Sequence, residues 1–230
     1  VITDSSFTGT GEPQTSSGDG DILFFQYYGD ATLTNVTITG EDRGNGPGEN
    51  AIQFRGDSGD LGTVTLTNVS VDGVYEKVGL AIYNYDDISG LTGTGNTINA
   101  TTGWNFPGNI GGVGGDVDFS AAGVDATGAP GIVVISGRST EAQTITGSAN
   151  NEFLNGAGGV NTLNGGAGDD TLRGGTGNDS MDGGDGVDLY DGSQSTNGFF
   201  GDLNTGFVFV GSDLGLDNHS TMESFIGSVG

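Results

Sequence analysis

Between Gly165 and Asp191 the chain reads GGAGDDTLR, GGTGNDSMD, GGDGVDLYD, so that a glycine pair and an aspartate return every nine residues. Two less regular nines, GSANNEFLN and GAGGVNTLN, precede them from Gly147. Glycines allow the backbone φ > 0 conformations that turn its carbonyls toward a common point. Carbonyl and carboxylate oxygens, six to eight at about 2.3 to 2.6 Å, are what a hard divalent cation such as calcium takes. The chemistry implied is therefore binding of a hard cation by oxygens alone. The last three residues of each nine suit a short strand with its middle side chain inward, which makes Leu154, Leu163, Leu172, Met181 and Tyr190 the expected core stripe.

The elements that must carry this array are strands. In the first half, TLTNVTITG (Thr32 to Gly40) returns as TLTNVSVDG (Thr65 to Gly73) 33 residues later, with ITDSSFTG and LTGTGNTINA as looser copies. Ile22, Ile52 and Ile82 form a second marker at a spacing of 30. Apolar and polar residues alternate, with a slip at the Asn-Val step that predicts a turn or bulge at Asn35 and Asn68. Several short strands per repeat of about 30 residues describe the rungs of a parallel β-helix, right-handed by the usual chirality of parallel connections. An antiparallel β-sandwich would carry similar turn signals, and the period is what favours the solenoid. Gly103 to Pro130 breaks the period, and GIVVISG (Gly131 to Gly137) reads as a buried strand leading into the second half.

Composition narrows the function classes. Asp and Glu number 30 against 5 Lys and Arg, a formal charge of −25 at pH 7. Such a field repels nucleic acid and anionic membrane surfaces, and destabilises a compact chain unless cations bind it. Glycine supplies 48 of 230 positions but proline only 4, so the excess is not that of a linker. Without cysteine, neither disulfides nor thiolate zinc sites are available. No apolar run reaches the roughly 18 residues of a membrane span.

The third to fifth nines follow the template G-G-x-G-x-D-x-U-x, where U is a large apolar residue. On these residues the segment Gly147 to Asp191 resembles the RTX (repeats-in-toxin) calcium-binding β-roll of secreted bacterial proteins. The resemblance implies that successive nines lie on opposite sides of the roll, so that each turn shares one calcium ion with the turn two nines further on. It assigns one site to Asp170 and Asp188 with the carbonyls of Gly166, Gly168, Gly183 and Asp185. A second falls to Asn161 and Asp179 with the carbonyls of Ala157, Gly159, Gly174 and Thr176, weaker because Asn161 lacks the charge. Glu152 with Asp170, and Asp179 with Asn197, are edge pairs that depart from the pattern. Residues 199–230 are similar to the segment that often separates RTX blocks, with strands at Phe199 to Leu203 and Phe207 to Val210, and with Phe225 and Ile226 covering the end of the roll.

Parallel β-helices joined to RTX arrays also occur in polysaccharide-modifying enzymes such as mannuronan C5-epimerases. Acid/base chemistry on a uronate needs groups such as His, Tyr, Lys or Arg. The only histidine, His219, is expected at the surface, and the epimerase Asp-Pro-His-Glu motif is absent. Tyr75, Glu76, Lys77, Tyr83, Tyr85, Asp86 and Asp87 could share one face, but read as strand aromatics beside a charged loop. No catalytic residue is assigned.

The expectation is an all-β chain, a parallel β-helix/β-roll solenoid. Residues 1–130 form β-helix-like repeats, 131–146 a connecting strand, 147–198 the β-roll, and 199–230 a cap or inter-block segment. The expected function is that of a calcium-binding, secreted or cell-surface bacterial structural or adhesive repeat protein. The alternative is a non-catalytic or partial module of a polysaccharide-modifying enzyme, an alginate epimerase or lyase. Expected partners are calcium and, beyond it, copies of the chain itself or a cell-surface glycan, with no nucleic acid and no membrane span.

Overall fold

The computed structural model describes residues 1–10, 23–26, 30–41, 50–56, 62–75, 78–84, 90–102, 106–111, 116–129, 131–138, 142–194, 200–202, 207–209 and 215–227. Among them the chain is all-β, with one short 3-10 turn at Ser120–Ala122 and no α-helix. It is a solenoid of parallel β-helix and β-roll type, divided into two compact units, Val1–Gly111 with Ala121–Val133 and Gly112–Ser120 with Val134–Gly230.

In the first unit the strands Ile2–Thr10, Ala31–Glu41, Thr63–Tyr75, Asn96–Thr102 and Val124–Asp125 stack in that order, and Gly90–Thr94 lies beside the first half of Thr63–Tyr75. All these pairings are parallel. The repeat read from sequence is the register observed: Leu33 faces Leu66 and Ile38 faces Val71. The looser copies follow, with Ile2 against Leu33 and Ile98 against Val71. Asn35 and Asn68 have φ of 52° and 50°. One left-handed residue resets the alternation, so Leu33 and Val36, three apart, both point into the core. The asparagines also bond from rung to rung, Asn68 Nδ2 to Asn35 Oδ1 at 3.0 Å and Asn35 Nδ2 to Asp4 Oδ1 at 2.7 Å.

A second sheet of this unit runs Leu23–Gln26, Asn50–Gly56, Val78–Asn84, Phe106–Gly111. Here the isoleucine marker misleads. Ile52 pairs with Leu80, and Ile82 faces Phe54, because the loops between rungs differ in length while the marker assumed a constant one. Ile22 lies outside the described residues. Leu33, Ile38, Ile52, Phe54, Leu66, Leu80, Ile82 and Ile110 fill the interior between the sheets.

In the second unit, Thr144–Thr146, Thr162–Ala167, Ser180–Asp185 and Leu216–Ser220 form one parallel row, and Glu152–Asn155, Thr171–Arg173, Leu189–Gly192 and Ser224–Gly227 another. Within the repeats each strand meets the strand two nines further on: Leu163 faces Met181, and Leu154 faces Leu172, which faces Tyr190. All five expected core-stripe residues are at most 2% exposed. One correction comes from the last rungs. His219, expected at the surface, pairs with Met181 and is buried, because Leu216–Ser220 returns to the roll in the register of a repeat strand. Phe225 pairs with Tyr190 and is half-buried, and Ile226 is half exposed. Phe200–Asp202 and Phe207–Phe209 pair antiparallel at the end of the first row.

Candidate metal centre

The sixth residue of each nine, Glu152, Asn161, Asp170, Asp179 or Asp188, sits at or just before the start of its strand, and there the backbone makes two ladders of side chains. On one side Glu152 N–H donates to Asp170 Oδ1 (2.8 Å), Asp170 N–H to Asp188 Oδ1 (2.9 Å) and Asp188 N–H to Glu223 Oε2 (2.7 Å). On the other, Gln143 N–H donates to Asn161 Oδ1 (3.1 Å), Asn161 N–H to Asp179 Oδ1 (2.7 Å) and Asp179 N–H to Asp217 Oδ1 (2.8 Å). Each carboxylate thus secures the rung before it with one oxygen. Asn197, the partner expected for Asp179, lies outside the described residues, and Asp217, 38 residues on, holds the Asp179 N–H.

The second oxygens divide the ladder into ends and middle. Asn161 Nδ2 donates to the carbonyls of Gly156 (3.3 Å) and Gly158 (3.2 Å). Both oxygens of Glu152 are taken by the backbone and hydroxyl of Ser148, and Asp217 Oδ2 accepts the Tyr190 hydroxyl. Asp170, Asp179 and Asp188 differ. Each is at most 1% exposed, and Oδ2 of each has no hydrogen-bond partner. A buried carboxylate oxygen in that state is costly, since unmade bonds to charged groups carry their full desolvation penalty.

Glycine serves this geometry in two ways. Gly166 and Gly168 have φ of 111° and 116°, and Gly184 and Gly186 repeat the pair at 97° and 149°. The first glycine of each nine is there for space instead. A methyl group on Gly165 would collide with Asp170 Oδ2 and the Gly183 carbonyl oxygen together, so the carboxylate of one turn and a carbonyl of the turn stacked on it converge at one point. A methyl group on Gly174 would likewise collide with Asp179 Oδ2. The Gly166 and Gly168 carbonyls occupy the space that side chains on Gly184 and Gly186 would need, as those of Ala157 and Gly159 do for Gly175 and Gly177. Asp185 offers its carbonyl to Gly168 N–H (2.8 Å), and Thr176 N–H donates to the Ala157 carbonyl (3.4 Å). Ala157 holds the second-glycine position with φ 63°.

Charge makes the mouths of these turns inhospitable without a cation. Burial, with Glu152 and Asp188 adding repulsion, pushes the Asp170 carboxyl up to about 8. Burial also raises Asp179 and Asp188, and takes Asp217 to about 7. Asp191 is the contrast: burial pushes it up, but the Ser193 hydroxyl and N–H and the Arg173 guanidinium outweigh that and hold it low. Arg173 Nε lies 3.1 Å from Asp191 Oδ2, with its guanidinium over the Phe153 ring.

The donor set fits calcium. It consists of orphaned carboxylate oxygens beside main-chain carbonyls, without sulfur. No three His, Cys, Asp or Glu side chains gather at one point among the described residues, so carbonyls must supply most of a coordination shell. Sequence reasoning missed Asp217 and Glu223 as rungs. The signal for Asp217 is faint but present, since G-L-D-N-H-S at Gly215 to Ser220 keeps the G-x-D-x-U core of a repeat with histidine as U. Of the enzymatic candidates, Tyr75 is buried, its hydroxyl bonded to the Asp72 carbonyl at 2.9 Å. Glu76, Lys77, Tyr85, Asp86, Asp87 and the side chain of Tyr83 lie outside the described residues.

Compared with known families, residues 144–163 and 164–196 match the RTX calcium-binding nonapeptide repeat in four copies. This segment is an array of such repeats, and RTX nonapeptide repeats bind calcium. No curated protein and no solved structure matches the chain.

Proposed function

We propose that the chain is an extracellular structural or adhesive repeat protein whose β-roll is completed by calcium. The observation that carries this reading is the trio of buried, unpartnered oxygens at Asp170, Asp179 and Asp188. Asp170 and Asp188, with the carbonyls of Gly166, Gly168, Gly183 and Asp185, are the principal site. Asn161 and Asp179, with the carbonyls of Ala157, Gly159, Gly174 and Thr176, are a weaker one, because the Asn161 amide is a donor already engaged by two carbonyls. Calcium, when bound, supplies positive charge that two stacked turns can share. The chain's own residues orient the oxygens, through the ladder bonds on Oδ1, and exclude water by burial. Sites of the extracellular class, with Kd of roughly 10⁻⁴ to 10⁻³ M, fill only outside the cytosol, so the roll would set after export. No described helix is long and apolar enough to cross a membrane.

Adding calcium to chelator-treated protein should increase the far-UV β signal and, for a structural or adhesive role, produce assembly or surface attachment. Spectra and light scattering that ignore calcium would end this reading. Turnover of a uronate polymer in the same samples would instead favour the module of a polysaccharide-modifying enzyme.

A further inference from the structure

We propose a calcium position beyond the nonapeptides, where the returning segment Gly215–Gly227 meets the last repeat turn at Asp188. The inference rests on the reading that buried, unpartnered carboxylate oxygens in this roll bind calcium. The matched repeats end at residue 196, yet Asp188 is gripped from beyond them. Its N–H donates to Glu223 Oε2 (2.7 Å), and its carbonyl accepts Glu223 N–H and Ser224 N–H (3.1 Å each) and the Ser224 hydroxyl (3.3 Å). Its Oδ1 accepts Asp170 N–H. One polar atom of this buried residue is left, Oδ2.

That atom has company of the right kind. A methyl group on Gly183 would meet Asp188 Oδ2 and the Thr221 carbonyl oxygen together, as one on Gly165 would meet Asp170 Oδ2 and the Gly183 carbonyl. Thr221 therefore presents its carbonyl as the first glycine of a nonapeptide would, although no glycine stands there. It does so with φ 53°, its hydroxyl oxygen accepting Gly184 N–H at 2.7 Å to fix the turn against the roll. Gly184 and Gly186 repeat the positive-φ pair of Gly166 and Gly168. Glu223 supplies the second carboxylate, and the charged groups acting on Asp188 are Glu223, Asp169 and Asp182, all acidic. Oxygen donors and net negative charge specify a hard divalent cation, and the mixed carboxylate and carbonyl shell specifies calcium over magnesium. The ion would fasten the returning segment, with Glu223 and Thr221 holding the position and Asp188 joining it to the site of Asp170.

The test uses the full chain in calcium. Ions bound per chain are counted by equilibrium dialysis, and hydrogen exchange is followed in peptides covering 162–173 and 216–227. Glu223→Gln, an exposed residue whose amide oxygen can still accept the Asp188 N–H, should bind about one ion fewer than the parent. It should lose the calcium-induced slowing of exchange at 216–227 while keeping that at 162–173. Equal ion counts and equal protection of 216–227 in the parent and Glu223→Gln would overturn the proposal while leaving calcium binding by the repeats intact. Absence of any calcium effect at 162–173 in the parent would overturn the reading beneath it as well.

Discussion

At the scale of single residues, the roll contains its own comparison between amide and carboxylate. Asn161 and Asp170 occupy equivalent places in successive turns. Each gives Oδ1 to the rung before it, but the second atom of Asn161 finds two carbonyls and that of Asp170 finds none. Asp170→Asn should therefore stabilise the calcium-free protein, by about 1 to 3 kcal/mol if the new amide finds the Gly165-side carbonyls, and weaken calcium binding. Chelator-treated melting curves and calcium titration of the variant check both signs. Asn161→Asp should do the reverse, melting earlier in chelator and gaining more from calcium than the parent; a variant indifferent to calcium would contradict the equivalence. Ala157 at φ 63° stands where the other repeats place glycine, and a left-handed alanine costs about 1 to 2 kcal/mol. Ala157→Gly should recover about 1 kcal/mol after the added unfolded-state entropy of glycine, read as a higher denaturation midpoint.

At the scale of elements, the turn and its strand stand or fall together. Gly165 is positioned by space, so Gly165→Ala would drive a methyl group between Asp170 Oδ2 and the Gly183 carbonyl. Its expected result is loss of most of the calcium-induced rise in melting temperature, with only about 1 to 3 kcal/mol of overpacking cost in chelator. An undiminished calcium response would show that this point is no part of a site. The nine-residue clock made the inward side chain of each strand legible in the sequence, while which turn stacks on which was implied by the resemblance to RTX repeats. The 33-residue repeat did the same for Leu33 over Leu66 and for the left-handed Asn35 and Asn68. What a clock cannot supply is loop length. After the strand Leu189–Gly192 the next rung on the Asp179 side is Asp217, which brings His219 into the core. The returning nine has lost both leading glycines, and Thr221–Glu223 stands in for a full turn, so no period announces either. The Ile22, Ile52, Ile82 marker failed for a related reason, since Leu23 pairs with Ile52 and Ile52 with Leu80, at spacings that fall short of the assumed 30.

At the scale of the whole molecule, the charge of −25 and the buried acids are one problem. Arg173 with Asp191 shows the local solution available to a chain with cations, and only 5 Lys and Arg serve 30 acids. Calcium is the economical remedy, and on the proposed reading it would make folding conditional on where the protein is. Magnesium, which demands near-octahedral geometry and dehydrates reluctantly, should not substitute in stabilising the roll. The most direct test of this account is thermal unfolding of the intact chain followed in chelator, in calcium and in magnesium. With calcium at about 100 times its dissociation constant, one linked site contributes about 2.7 kcal/mol, a rise in melting temperature of roughly 5 to 10 °C for a domain of this size. The account predicts that rise in calcium alone, and its reduction in the Asp188→Asn variant. Superimposable melting curves in calcium and chelator would contradict it.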